Sequence, residues 1–432
     1  MIIPIDQLYN FLDDIINLDS VIIYRFFPHG SKNIDDLLPI KTVTSPTLAN
    51  IEVFCCDQEP LDFYLYHQAL PKTIFPERDT HPDISQLHYP YAQGLRSAGH
   101  TDGLSLNDHS LLVHSEKNSQ DLELYRQDRY IDIYYWCHAV ISRDWFRYAE
   151  IDPRLQPKAS WPANDFLIYN RAWTNTREYR LKFCQQLVNQ DLVKNCNIKF
   201  NPVDQDIHYT NYKFKNNKFK PDITDLENYF ELNTYASSSS ADYVSYDYST
   251  SAIEVVLETL FDDSRWHLTE KILRPMACGQ PWILAATAGS LKYLQEYGFK
   301  TFSPYINENY DSIQDPLDRL QAIVDELKRI SLLPLDQKND LLSKLQTIAD
   351  YNKKRFFSQE FFDLVIGEFK QNLRTALDTL SPLRKGRNWK QYKKQMYHDY
   401  PAAYQELHTT VPFLSRQHLV DFHKWVQNPP EI

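Results

Sequence analysis

Two hydrophobic rhythms alternate along this chain. Short unbroken apolar runs read as strands of the buried parallel kind: SVIIYRF (20–26), IEVFCC (51–56), SLLVHSE (110–116), IDIYYWCH (131–138), FLIYN (166–170), SAIEVVL (251–257) and PWILAAT (281–287). Between the later runs, apolar residues return at helical spacing. Tyr179, Phe183 and Leu187 share one face of TNTREYRLKFCQQLVNQ, and Ile272, Leu273 and Met276 follow Thr269. Thr269 is a good N-cap, because its hydroxyl can accept a bond from a first-turn N–H; Gly279 supplies a left-handed stop and Pro281 lies just past it. SLKYLQEY predicts a further helix, ended by Gly298 before a predicted strand FKTF (299–302), and 315–377 carries long amphipathic helices. WCHAVISRDWFRYA begins a helix in which Trp145, Phe146 and Tyr148 pack inward and Arg143 pairs with Asp144.

Several strands run into polar residues. The first meets Pro28-His29-Gly30, the second Asp57-Gln58-Glu59-Pro60, the third His114, Ser115 and Glu116, and the fourth His138. In an open parallel sheet, ligands sit outside the carboxyl ends of the strands, so these ends are expected to line one crevice. Asp57, Glu59 and Glu116 are candidate general bases for deprotonating a hydroxyl. Glu59 ranks first because Pro60 restricts the turn behind it, with Asp57 close behind.

The helix opening at Thr269 carries a different chemistry. Glu270 and Lys271 stand in its first turn, where the backbone amides and the dipole favour an anion. Such a pair can divide a nucleoside diphosphate, the carboxylate accepting from ribose hydroxyls and the ammonium neutralising phosphate. The segment LTEKILRPMACGQPWIL (268–284) resembles the donor-binding signature of GT-B glycosyltransferases of the fucosyltransferase type, in which T-E-K at a helix start precedes A-x-G-x-P and an apolar strand. The chain as a whole is similar to glycosyltransferase-like proteins of tailed phages. The resemblance implies that Glu270 holds the ribose and Lys271 contacts the diphosphate. It also implies a diphosphate contact from an arginine directly after the first strand of the second domain, which is Arg171, with Arg177 in reserve.

The fold expected on this basis is α/β of the GT-B type, two facing Rossmann-like domains with a cleft between them. Pro153, Pro157 and Pro162 give 151–162 a linker composition, so residues 1–158 are assigned to an acceptor domain, 159–380 to a nucleotide-sugar donor domain and 381–432 to a tail. Residues 200–250 are tyrosine-rich without clear periodicity, the pattern of a plain surface excursion, of a functional loop whose rings stack on base or acceptor, or of structure that periodicity does not reveal. Asp262-Asp263 is adjacent rather than spaced i, i+2, and Lys271 with Arg171 can neutralise phosphate instead, so no metal and no resident cofactor is expected. Glu258 and Arg265 flank the donor pocket, and Glu308 and Asp311 are candidate sugar-hydroxyl ligands.

Composition narrows the classes. At 432 residues with 43% hydrophobic and 24% charged, the chain has the make-up of a folded protein. It contains no G-x-G-x-x-G and no G-x-x-x-x-G-K-[ST], which argues against a dinucleotide oxidoreductase and a P-loop ATPase. A net charge of −11 repels polyanions, so DNA contact needs a local basic surface. The tail supplies one in Arg384, Lys385, Arg387, Lys390, Lys393 and Lys394, interleaved with Trp389 and Tyr392. Six cysteines without C-x-x-C spacing read as reduced thiols of a cytoplasmic protein, in the host cytoplasm if phage-encoded. The N-terminus reads as neither signal peptide nor membrane span. The expected activity is glycosyl transfer from a nucleotide diphosphate sugar to a hydroxyl. Two acceptors stand open, a hydroxymethylated pyrimidine of phage DNA and a glycan or small molecule, beside a non-catalytic sugar-binding protein of the same fold.

Overall fold

A computed structural model describes residues 22–26, 51–62, 110–127, 130–230 and 240–383. They form a mixed α/β protein with parallel sheets and a helical C-terminal region. His29 and the basic tail lie outside the described residues. The chain divides into two compact units, one holding His138–Val365 and the other Ile3–Cys137 with Ile366–Ile432.

In the second of these, Ile22–Phe26 (β1), Ile51–Cys56 (β2), Ser110–His114 (β3) and Tyr130–Tyr134 (β4) pair in parallel, in that order. The carboxyl ends of all of them therefore meet along one edge, as the apolar runs predicted. Asp121–Gln127 (α1) buries Leu122 and Tyr125 against Cys56, Leu61 and Leu112. Arg126 fixes the turn into β4 with two bonds to Asp132, at 2.7 and 2.9 Å. The fourth run is shorter than predicted. Tyr135 N–H donates to His114 O and Cys137 N–H to Ser115 Oγ, both at 3.1 Å, and this takes the chain out of the ladder into Cys137–Trp145 (α2). His138 is thus a helical residue and not a strand end.

In the other unit, Asn164–Asn170 (β5) is followed by Tyr179–Asn189 (α3) and Cys196–Phe200 (β6). A small hairpin, Val203–Asp204 (β7) with Ile207–His208 (β8), turns through Gln205 and Asp206 at positive φ. Ser245–Thr250 (α4), Ser251–Leu257 (β9), Glu270–Cys278 (α5), Trp282–Ala285 (β10) and Ser290–Glu296 (α6) complete the alternation. The sheet runs β10-β9-β5-β6, all parallel, and every residue of the central β9 is buried. Leu167 faces Glu254 across the ladder, so Tyr169 and Arg171 share a sheet face with Glu254 and Glu258. That face receives α5.

Pro316–Ser331 (α7), Leu335–Phe357 (α8) and Gln359–Leu383 (α9) form the helical region. Asp315 caps α7 with bonds from Leu317 and Asp318 N–H, with Pro316 at the first position. The last part of α9 belongs to the unit of β1–β4, where Asn372 donates to Tyr134 O at 2.8 Å and Phe369 meets the Tyr135 ring edge-on. Among the described residues no helix is long and apolar enough to cross a membrane.

Three local expectations give way to tertiary partners. FKTF forms no ladder: Asn352 accepts from Lys300 N–H at 2.9 Å and donates to Lys300 O at 2.8 Å, while Phe302 N–H goes to Glu308 at 2.6 Å. Arg143 donates to the carbonyls of Phe356, Phe357 and Ser358, where α8 ends and a cation complements the dipole, and Asp144 pairs with Arg147. Tyr148 is exposed rather than packed inward, with Arg147 over its ring.

Candidate functional site

The start of α5 is built around a buried carboxylate just beyond β9. Glu258 accepts at Oε1 from Thr269 N–H (3.1 Å) and Ile272 N–H (3.3 Å), and at Oε2 from the Thr269 hydroxyl (2.7 Å) and Thr259 N–H (3.2 Å). Thr269 is the N-cap as predicted, its hydroxyl accepting from Lys271 N–H at 3.4 Å, and Gly279 ends the helix at φ 67°. The amides of Lys271 and Ile272, expected to face a ligand anion, are therefore turned to Thr269 and Glu258.

Those side chains are Glu270 and Lys271. Glu270 is 4% exposed; Oε1 lies 2.8 Å from Lys271 Nζ and Oε2 lies 3.3 Å from His138 Nδ1. Burial pushes the carboxyl up, but the charges of Lys271 and His138 and the bond from Lys271 outweigh it and hold the group well below the usual carboxylate range. Lys271 Nζ also reaches the Thr269 hydroxyl at 3.2 Å, and the His138 ring meets His267 edge-on at 5.6 Å.

Behind this pair lies a buried ionic lattice. Arg274, one turn along α5, pairs with Glu254 of β9 at 2.6 Å and donates to Tyr248 OH at 2.9 Å, and Tyr248 donates in turn to Glu254 at 2.6 Å. Arg274 and Arg171 both lie over the Tyr169 ring, at 4.3 and 4.4 Å. Burial lowers the Arg171 pKa and the neighbouring Arg274 charge lowers it further, so an anionic partner would be favoured there. The strand ends are tied together by α3. Arg180 donates to Ala172 O and Leu257 O at 2.6 Å and to Glu258 O at 3.0 Å, while Tyr179 OH donates to Glu258 O at 2.7 Å and Ala285 O at 3.2 Å. Arg177 is half-buried in the turn Asn175–Arg177 beside them.

No family model, no curated protein and no solved structure matches this chain.

Of the candidate bases, Asp57 is fully buried and accepts from Tyr135 OH at 2.6 Å. Glu116 is buried too and accepts from Leu61 N–H at 2.6 Å. Burial raises the Cys56 thiol pKa and the charges of Asp57 and Glu116 raise it further, so both carboxylates gather about one point at the ends of β2 and β3. Glu59 is half-buried and is the most accessible of the three.

The remaining acids have local duties. Asp262 pairs with Lys218 at 2.7 Å and accepts from Asn216 at 3.0 Å; Asp263 is forked by Arg265. Glu308 caps Phe302 N–H. Asp311 accepts from Leu291 N–H at 3.2 Å at the start of α6, and burial pushes its carboxyl from 3.8 up to about 6 against the pull of that amide. A raised folded pKa favours the protonated form. The resulting stability is full below about pH 4 and is lost as pH climbs through 6. Asp311→Asn, which keeps an accepting oxygen without the charge, should melt above wild type at pH 8, with the gap closing by pH 4. Melting curves that stay parallel across that range would exclude this assignment.

Glu258, Glu254, Tyr248 and Arg274 are the residues of this site whose roles sequence reasoning missed. The signal for one of them was present: a glutamate inside the apolar run SAIEVVL must be paired when the strand is central.

Proposed function

We propose that this chain is a nucleotide-sugar-dependent glycosyltransferase of the GT-B type. The observation that carries the reading is Glu270 and Lys271 in the first turn of α5, beside the carboxyl ends of β9 and β5, with Arg171 on the same sheet face. On donor binding, Lys271 exchanges Glu270 for phosphate, and Glu270 turns to the ribose hydroxyls. Lys271 and Arg171 then stabilise the charge that gathers on the departing diphosphate. If the transfer inverts, Glu59 takes the acceptor proton, since it is the most accessible of the three carboxylates; retention would need no such base. The acceptor is a hydroxyl of modified DNA or of a glycan.

Thermal-shift measurements with UDP, GDP, ADP, CMP and dTDP, with and without magnesium, test the donor site. A diphosphate that binds the native state raises the melting temperature by an amount growing with its concentration over Kd. The expected result is a shift with one nucleotide, insensitive to magnesium and absent in Glu270→Ala. A shift that Glu270→Ala retains would remove Glu270 from the site. A second reading, a non-catalytic sugar- or nucleotide-binding protein, is favoured by the near-complete burial of Glu270 among Lys271 and His138. It predicts that Lys271→Ala weakens binding with no rate to lose.

A further inference from the structure

A cleft of about 550 Å³ opens on the β5–β6–β9 sheet beside α4, lined by Asn164, Asn197, Lys199, Asp247, Tyr229 and Tyr246 among others. Asn164 begins β5 and Thr250 directly precedes β9, so the cleft lies toward the amino ends of the strands. Glu258, Arg171 and the start of α5 lie at their carboxyl ends. The cleft and the proposed donor site are therefore different places on one sheet, joined through Tyr169, whose hydroxyl bonds Asp247 and whose ring lies under Arg171.

Its floor is a fixed polar lattice. Asp247 is 4% exposed and accepts at Oδ2 from Tyr169 OH (2.9 Å) and at Oδ1 from the Asn197 amide (3.2 Å), with Lys199 Nζ 3.6 Å away. Asp247 thus sets the orientation of Asn197 and Lys199, and the Asn164 amide is set by its bond to Thr250 O at 3.1 Å. Its rim is aromatic. Tyr246 is 72% exposed, the most exposed aromatic ring among the described residues, and Tyr229 is 47% exposed.

From this lining we infer that the cleft binds a neutral saccharide. Its charged residues are Lys199 and Asp247, which offset each other at 3.6 Å, so the lining carries no net charge for an anion or cation. Asn164 and Asn197 place planar amides at the base, the donor and acceptor groups that match sugar hydroxyls, while the Thr250 hydroxyl is spent on Tyr246 O at 2.9 Å. Tyr229 and Tyr246 offer exposed aromatic surface that an apolar C–H face of a pyranose can cover. This assignment does not depend on the donor reading. It holds equally for a transferase and for a protein without turnover.

Saturation-transfer NMR of the 432-residue chain with maltotriose, cellotriose, mannotriose and triacetylchitotriose tests it. At least one of these should bind. Tyr246→Ala and Tyr229→Ala, both surface changes, should each weaken that binding roughly three- to tenfold, the scale of one aromatic contact. Excess UDP should leave the signal in place. Absence of binding by all of them, full binding by Tyr246→Ala, or displacement by UDP would each overturn the assignment. Displacement would move the saccharide to the carboxyl-end site instead.

Discussion

Arg274→Ala will destabilise the protein by about 3–5 kcal/mol, the usual cost of breaking a buried ion pair from one side. Glu254 is fully buried on the central strand, and Arg274 is the cation that meets it at 2.6 Å. Removing the guanidinium also takes away one of the two partners of Tyr248 OH and one of the two cations over the Tyr169 ring. Glu254 would then have to take up a proton or draw in water, and either alternative is costly in the middle of an all-buried strand. The double variant Glu254→Gln with Arg274→Met should recover most of the loss, because no charge is left behind. Urea midpoints of the single and double variants decide it. A single variant within about 1 kcal/mol of wild type would show that the pair is not buried as described.

On the proposed glycosyltransferase reading, Lys271→Ala should lower transfer about a hundred- to a thousandfold, because one preorganised charge on a departing group is worth that much. It should also lower the melting temperature, because buried Glu270 then keeps His138 but loses its nearest cation. The amine reaches Glu270 and the Thr269 hydroxyl from a half-buried position and fills no part of the core. The rate is read with the sugar derivative of whichever diphosphate stabilises the protein, offered to hydroxymethylated DNA and to a glycan panel in parallel. A fall in kcat with KM nearly constant fits a charge acting on the departing diphosphate. A rise in KM alone would assign Lys271 to ground-state binding. Unchanged kinetics would remove it from the reaction altogether.

How much of this was readable from residues alone follows from the range of the forces involved. The strands of both parallel sheets other than β6 were legible because parallel strands buried on two faces leave unbroken apolar runs, as in IEVFCC and SAIEVVL. β6 was missed because it is only partly buried and its run is interrupted by Asn197 and Lys199. The ends of α5 were legible because Thr269 and Gly279 act on amides and carbonyls within one turn. What stayed hidden depends on partners far along the chain. Arg143 reads locally as the neighbour of Asp144, yet its guanidinium closes a helix more than two hundred residues later. Arg180 reads as a first-turn helix residue, yet it binds the carbonyls at the ends of two strands. Glu258 reads as a pocket residue, and only the fold shows that it takes the helix amides for itself. The candidate site was legible as a motif, therefore, but not in its closure around Glu270.

The clasp of Asn352 on Lys300 has a consequence for solubility. Phe299 to Phe302 is a short segment of strand-forming residues whose backbone, if left bare, would offer a template to a second chain. The amide of Asn352 imitates a neighbouring strand for one residue, occupying both the donor and the acceptor of Lys300. It thereby denies that stretch to intermolecular pairing, so a chain that loses this one side chain gains a sticky edge as well as a weaker fold.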